Sequence, residues 1–279
     1  MKKSTKIILI GLVVMMMSVS AFARGKKSTI TIAGSTTVLP IAQATAEVFM
    51  DKNPDINISV RGGGSSVGIA SIMSGTVDIG DASRHIKNKE LAAARKSGIN
   101  IVEHIVANDG ITIVLNNSNT IDALTLSQLK DIYTGKIQNW KELGGKNMPI
   151  VVVSRDVSSG TFEVFNKLVL KNAKGLNSAL MLASNNAVVT TISTTPGAIG
   201  YVGLGYVTDK IKAVSVDGVK ATEKTIQTKE YPISRTLQMY TRGIPTGIVK
   251  QYIDFVLSPE GQDIVEQQGF IRIMDDKNK

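Results

Sequence analysis

The 279-residue chain contains no cysteine, which excludes disulfides and thiolate metal sites and leaves stability to a buried core. Its two histidines, His85 and His104, are too few for an all-histidine zinc site. Aromatic residues make up 5% of the chain, with Trp140 the single tryptophan, which argues against platforms for stacking bases or sugars. Basic residues are scattered, so the formal charge of +9 does not mark a nucleic-acid surface. It suits an anionic ligand or a partner with an acidic face. Neither G-x-x-x-x-G-K-[ST] nor G-x-G-x-x-G occurs, which excludes the common nucleotide-phosphate loops.

The one long apolar run is N-terminal. Lys2, Lys3 and Lys6 precede Ile7 to Met17, and Ala21-Phe22-Ala23 follows as an A-x-A cleavage site. The run is short for a membrane span, so residues 1–23 read as an export signal rather than an anchor. No cysteine follows it, so a lipid anchor is not expected, and a soluble protein of a Gram-negative periplasm fits best. Cleavage leaves 256 residues and a formal charge of +6, a length for one large domain or two lobes.

What the chain does have is a repeated order of strand, polar turn and helix. The most informative stretch is Val151 to Phe165, VVVSRDVSSGTFEVF. Three valines predict a buried strand, and Phe162, Phe165, Leu168 and Val169 recur at helical spacing. The turn between them sets hydroxyls and free amides at a helix start, with the planar fork of Arg155 beside them. Each favours an oxyanion. Asp156 is expected to orient Arg155.

The same order occurs earlier. Ile30 to Ala33, then Gly34 to Thr37, then Leu39, Ala42, Ala46 and Phe49 predict strand, hydroxyl-rich turn and helix, with Pro40 just inside the helix. Ile56, Ile58 and Val60 alternate into Arg61-Gly62-Gly63-Gly64-Ser65-Ser66, followed by a helical pattern. Val77 to Gly80 runs into Asp81-Ala82-Ser83-Arg84 and a charged helix, Lys87 to Lys96. A helix is expected over Leu126–Tyr133, with Trp140 packing after it. Another is expected over Leu176–Asn186, an exposed ribbon over Lys210–Lys229, and two terminal helices closed by Gly269.

Residues 105–112 read as a crossover between lobes and Tyr231–Tyr240 as the return. The expected organisation is 24–107 for the first lobe, 108–236 for the second and 237–279 for the return to the first. Such alternation predicts an α/β protein with mostly parallel sheets, whose ligands sit beyond the C-terminal ends of the strands. Gly64-Ser65-Ser66-Val67-Gly68 also matches the nucleophile elbow G-x-S-x-G. A serine hydrolase or phosphatase would need a histidine later in the fold, and His85 and His104 come too early.

The segments AGSTTVLP, GGGSSVGI, TVDIGDASR, DGITIVLNNSN, LKDIYTGKIQNWKELGG, SRDVSSGTFEVF, PGAIGYVG, YPISRTLQMYT and DFVLSPEGQDIVEQQGF, in this order, resemble the periplasmic phosphate-binding proteins of phosphate-specific ABC transporters, in their shorter branch. The resemblance covers essentially the whole mature chain. It implies a type II periplasmic binding fold of two α/β lobes with two crossovers, closing on dehydrated phosphate. It also implies a monomer without cofactor or enzymatic activity that delivers phosphate to an inner-membrane ABC permease. The family's contacts fall on Ser35, Thr36 and Thr37, on Ser65, and on Arg155, Ser159, Gly160 and Thr161. Ser83 matches a family serine, which places Arg84 where better-known members carry an aspartate that accepts the proton of phosphate. The acceptor is then expected to be Asp109, at the crossover, or else Asp81. A carboxylate there hydrogen-bonds protonated phosphate and repels sulfate. Sulfate or molybdate is the alternative ligand.

Overall fold

The computed structural model describes residues 27–273. The export signal expected at 1–23 and the acidic pair Asp275-Asp276 lie outside these residues.

Alternating apolar residues make β1 (Ser28–Gly34), with Ile30 and Ile32 fully buried. Helix α1 (Leu39–Lys52) has its proline in the first turn and lays Ile41, Ala42, Ala46 and Phe49 into the same core. Strand β2 (Ile56–Gly62), α2 (Ser65–Ser74), β3 (Ile79–Ala82) and α3 (Asn88–Lys96) follow. β4 (Ile101–Asn116) runs unbroken for 16 residues. After it come β5 (Ala123–Leu124), α4 (Leu126–Tyr133), β6 (Val151–Arg155) and α5 (Gly160–Phe165), which passes into a π-turn through Leu170. The chain continues with β7 (Leu180–Leu182), α6 (Asn185–Thr194), β8 (Ala198–Gly203), β9 (Ile211–Ala213), β10 (Ser215–Val216) and α7 (Glu223–Gln227). It ends with β11 (Ser234–Arg242), α8 (Gly247–Leu257) and α9 (Pro259–Gln267).

The main sheet has the order β2-β1-β3-β11-β4-β8-β6-β7, with β9 beside β4. β1 pairs in parallel with β2 and β3, and β6 in parallel with β7 and β8. The antiparallel pairs of this sheet all involve β4 or β11. β4 pairs with β11 over Ile101–Gly110 and with β8 over Ile111–Leu115, so one strand serves both halves of the sheet. A strand of this length spans about 50 Å, enough to bridge two half-sheets. The expected crossover at 105–112 falls within it, and β11 carries the chain back beside it. This is the α/β architecture with two crossovers that the resemblance implies. One apolar cluster centres on α1, β1 and α8, and another on Trp140, Phe165 and Tyr201. Trp140 is fully buried and donates its indole N–H to the Gly197 carbonyl, so it is a packing residue.

Two expectations are corrected. Leu176–Asn186 is not a helix, because Leu180–Leu182 is β7, paired with Val153–Arg155 of β6. Edge pairing overrides the helical preference of leucine and methionine there. The helix begins later, where the Ser184 hydroxyl accepts from the Ala187 amide, and its β-branched face puts Val188 and Ile192 in the core. The segment 210–229 is not a plain exposed ribbon either: Val214, Val216 and Ile226 are buried, and α7 forms inside it.

Close packing of α2 on the sheet depends on Gly68. A Cβ there would lie 2.4 Å from the Asp81 carbonyl oxygen and 2.8 Å from that of Ala33. Gly68→Ala is expected to lower stability by about 1–3 kcal/mol, seen as a lower urea midpoint at unchanged slope.

Candidate functional site

Three of the predicted turns converge where the two halves of the sheet meet. The Gly34–Thr37 turn precedes α1, the glycine loop precedes α2, and the Ser154–Thr161 turn precedes α5. Ser35, Thr36, Thr37, Ser65, Ser83, Arg84, Asp109, Arg155, Ser159 and Thr161 are all buried. A buried cluster this polar is tolerated only if its groups find partners.

β6 carries Arg155 into the interior, where it is 1% exposed. Its Nε donates to the Leu182 carbonyl at 3.0 Å, and its Nη2 donates to the Ala183 carbonyl at 3.0 Å and to Thr36 Oγ1 at 3.1 Å. Among the described residues Nη1 has no hydrogen-bond partner and no carboxylate bonds the guanidinium. Burial pushes its pKa below the ordinary value, with the nearby charge of Arg235 adding to the effect. Asp156 does not orient it. That carboxylate accepts from the Ser158 amide at 2.8 Å and the Ser158 hydroxyl at 2.6 Å, closing an Asx turn that shapes the loop. The carbonyls at the end of β7 hold Arg155 instead.

Around it lies a patch of hydroxyls. Thr37 Oγ1 is 3.1 Å from Thr161 Oγ1, and Asn185 Nδ2 donates to Thr37 Oγ1 at 3.1 Å and Thr36 Oγ1 at 3.3 Å. Ser35 Oγ accepts from the Thr37 amide at 3.1 Å and so braces the start of α1. Ser65 Oγ accepts from the Ser83 amide at 2.9 Å. The Ser159 hydroxyl caps α5 by accepting from the Phe162 amide. Gly160 fits because nothing larger would: a Cβ there would lie 2.3 Å from Ser65 Oγ.

The two proton acceptors expected from the sequence are placed differently. Asp109 is fully buried. Its Oδ2 accepts from Arg235 Nε at 2.8 Å and Nη2 at 2.7 Å, and its Oδ1 from the Leu204 amide at 2.9 Å. Burial pushes its carboxyl upward while the Arg235 charge and hydrogen bonds pull it down. Asp81 is buried with Oδ1 unpartnered, and burial pushes its carboxyl well above the usual carboxylate range. On β3 it shares a face with Ile79, toward the core rather than the hydroxyl patch.

Arg84 acts across the seam. Its Nη1 donates to the His85 carbonyl and Glu90, its Nη2 to Ser66 Oγ and Glu90, and its Nε lies 3.1 Å from Glu163. Glu163, on α5, also pairs with Lys87 at 2.5 Å. Burial would raise Glu90, but Arg84 and the Lys87 amide overcome it and hold the carboxyl below its usual value. Backbone closes the seam too. The Ser66 amide donates to the Ser158 carbonyl at 3.0 Å, and Gly64, at φ +94°, passes where a Cβ would lie 2.4 Å from Ser158 Oγ. Ser66, the candidate nucleophile, thus accepts from Arg84 and donates to Glu163. His85 pairs with Glu103 and His104 with Thr241, so neither serves Ser66 as a base.

Sequence reasoning missed Arg235 and Asn185. Arg235 lies in a strand rather than a turn. Asn185 follows the serine cap of α6, a position hidden by the mistaken helix over Leu176–Asn186. Among the described residues no helix is long and apolar enough to cross a membrane.

A family model described as the PBP superfamily domain matches residues 20–260. The phosphate-binding protein PstS of Bacillus subtilis is 41% identical over 253 residues, covering 89% of this chain and 82% of that protein. The PstS of Borreliella burgdorferi is 33% identical over 256 residues, covering 88% and 90%. A crystal structure of a Clostridium perfringens substrate-binding protein with bound phosphate superposes with a TM-score of 0.83 at 40% identity, covering 88% of this chain and all of that one.

The clamp at the seam yields a prediction. Glu163→Gln removes the carboxylate shared by Arg84 and Lys87, and is expected to cost about 1–3 kcal/mol in urea unfolding. Amide exchange at Ser66 should speed up severalfold, because its bond to Ser158 crosses the same seam.

Proposed function

The chain belongs to the PBP superfamily, and within it to the PstS phosphate-binding proteins; from that premise we propose that it binds inorganic phosphate and delivers it to an ABC transporter permease. The observation that carries the reading is Arg155, a buried guanidinium with no carboxylate partner among the described residues and one unsatisfied nitrogen, set among threonine and serine hydroxyls. A tetrahedral oxyanion supplies the missing charge and several acceptors at once. Ser65, Ser159, Gly160, Thr161 and the Thr36-Thr37 turn complete the shell in this reading, with Ser35 bracing it. Ser83 holds Ser65. Arg84 contributes by clamping the two halves rather than by touching the anion.

The two halves act as lobes, one over 24–107 and 237–279, the other over 108–236, hinged on β4 and β11. Closure buries the ligand, and the closed form is what the permease recognises. The protein works as a monomer outside the cytoplasmic membrane after removal of residues 1–23. In this reading it is a receptor rather than an enzyme, with Ser66 held by Arg84 and Glu163 in the clamp.

A thermal-shift panel of phosphate, sulfate, molybdate and arsenate tests this. Phosphate at a hundred times its dissociation constant should add about 2.7 kcal/mol, or about 5–10 °C in Tm. No shift with phosphate would overturn the reading. Arg155→Ala should weaken phosphate binding by about 2–5 kcal/mol, a factor of about 30 to several thousand, in calorimetric titration.

A further inference from the structure

We propose that Arg235 is a second anion-binding guanidinium of this site, held in position by Asp109. The inference rests on the phosphate reading above and deepens it.

Arg235 comes from the return strand β11, and its side chain is 4% exposed. It reaches the hydroxyl patch that Arg155 also reaches. Nη1 lies 2.9 Å from Thr161 Oγ1 and Nη2 lies 3.4 Å from Thr37 Oγ1. Asn185 links Thr37 Oγ1 to Thr36 Oγ1, on which Arg155 Nη2 sits at 3.1 Å. Two guanidiniums therefore close on one patch of three threonine hydroxyls. Hydroxyls satisfy their hydrogen bonds but not their charge. Asp109 is the carboxylate bonded within this group, so two positive charges stand against one negative charge. Like charges in a buried patch repel, and an oxyanion that meets both guanidiniums relieves the excess.

Asp109 is then a positioning residue. Its Oδ2 takes Nε and one N–H of Nη2, and its Oδ1 is occupied by the Leu204 amide. This geometry fixes the plane of the guanidinium: Nη1 divides its donors between Thr161 Oγ1 and the Ser83 carbonyl at 3.1 Å, and the second N–H of Nη2 turns toward Thr37. With both oxygens engaged, Asp109 aims a donor at the ligand rather than accepting the ligand's proton. It stands on β4 and Arg235 on β11, so both crossover strands contribute to the floor of the cleft.

A purely structural Arg235–Asp109 pair makes a different prediction, and a double substitution separates the two. Phosphate is titrated calorimetrically into the wild-type protein, Asp109→Asn/Arg235→Gln and Arg235→Lys, with urea unfolding alongside. The double variant removes both charges of the pair together, so neither partner is left as an unpaired buried ion. It is expected to unfold near the wild-type midpoint yet bind phosphate at least about a hundredfold more weakly. Arg235→Lys keeps a charge against Asp109 but loses the planar fork, and is expected to bind at least about tenfold more weakly. A folded double variant with less than about a tenfold loss overturns the inference, because the pair is then only structural. If the double variant does not fold, Arg235→Lys decides on the same threshold. Wild-type protein that binds no phosphate overturns the functional reading itself, and this inference with it.

Discussion

A guanidinium withdrawn from water without a carboxylate partner costs several kcal/mol, and the centre of this molecule is built around one. Val152 and Val153 hold β6 in the core, so the residue at the strand's end has no route back to solvent. Backbone carbonyls from Leu182 and Ala183 and the hydroxyl of Thr36 satisfy most of the N–H groups of Arg155, but none of them cancels its charge. The charge deficit is a property of the fold rather than of a surface patch. In the proposed function it favours an anion before any detail of shape is considered.

The seam between the halves follows from the same need. The hydroxyls of the buried patch come from both sides: Thr36, which accepts from Arg155, and Thr37 from the turn before α1, and Thr161, bonded to Thr37, from the start of α5. Bringing them within hydrogen-bond distance requires backbone to approach backbone, and glycine stands where a side chain would block it. Gly160 lies against Ser65, and Gly64 lies against Ser158. Outside this contact, Arg84, Lys87, Glu90 and Glu163 form a clamp that is partly open to solvent. In the proposed function the buried groups set what is bound, and the rim sets how firmly the halves stay together.

Much of this was readable from residue order. The valine run before Arg155, the proline inside α1 and the alternation of β2 each predict one element by a local rule, and the structure has each of them. Gly160 and Thr161 were singled out because a helix start after a buried strand favours an anion by local geometry, and the structure buries both at the start of α5. Failures occurred where a partner distant in sequence decides. Leu180–Leu182 looks helical until β6 is beside it. Asp156 looks like the partner of Arg155 until the Asx turn with Ser158 captures it. Arg84 and Arg155 look alike in sequence, each a loop arginine after a strand, yet one meets two glutamates and the other meets none.

Local sequence determined most of the strands and helices and which turns carry hydroxyls and free amides beside an arginine. Those properties depend on residues within a few positions of each other. Tertiary structure alone decided which charges are cancelled. Asp109 and Arg235 are 126 residues apart, and Arg155 and Thr36 are 119 apart. Whether a buried charge is paired depends on what arrives from the other crossover strand, and no periodicity in the chain records that distance.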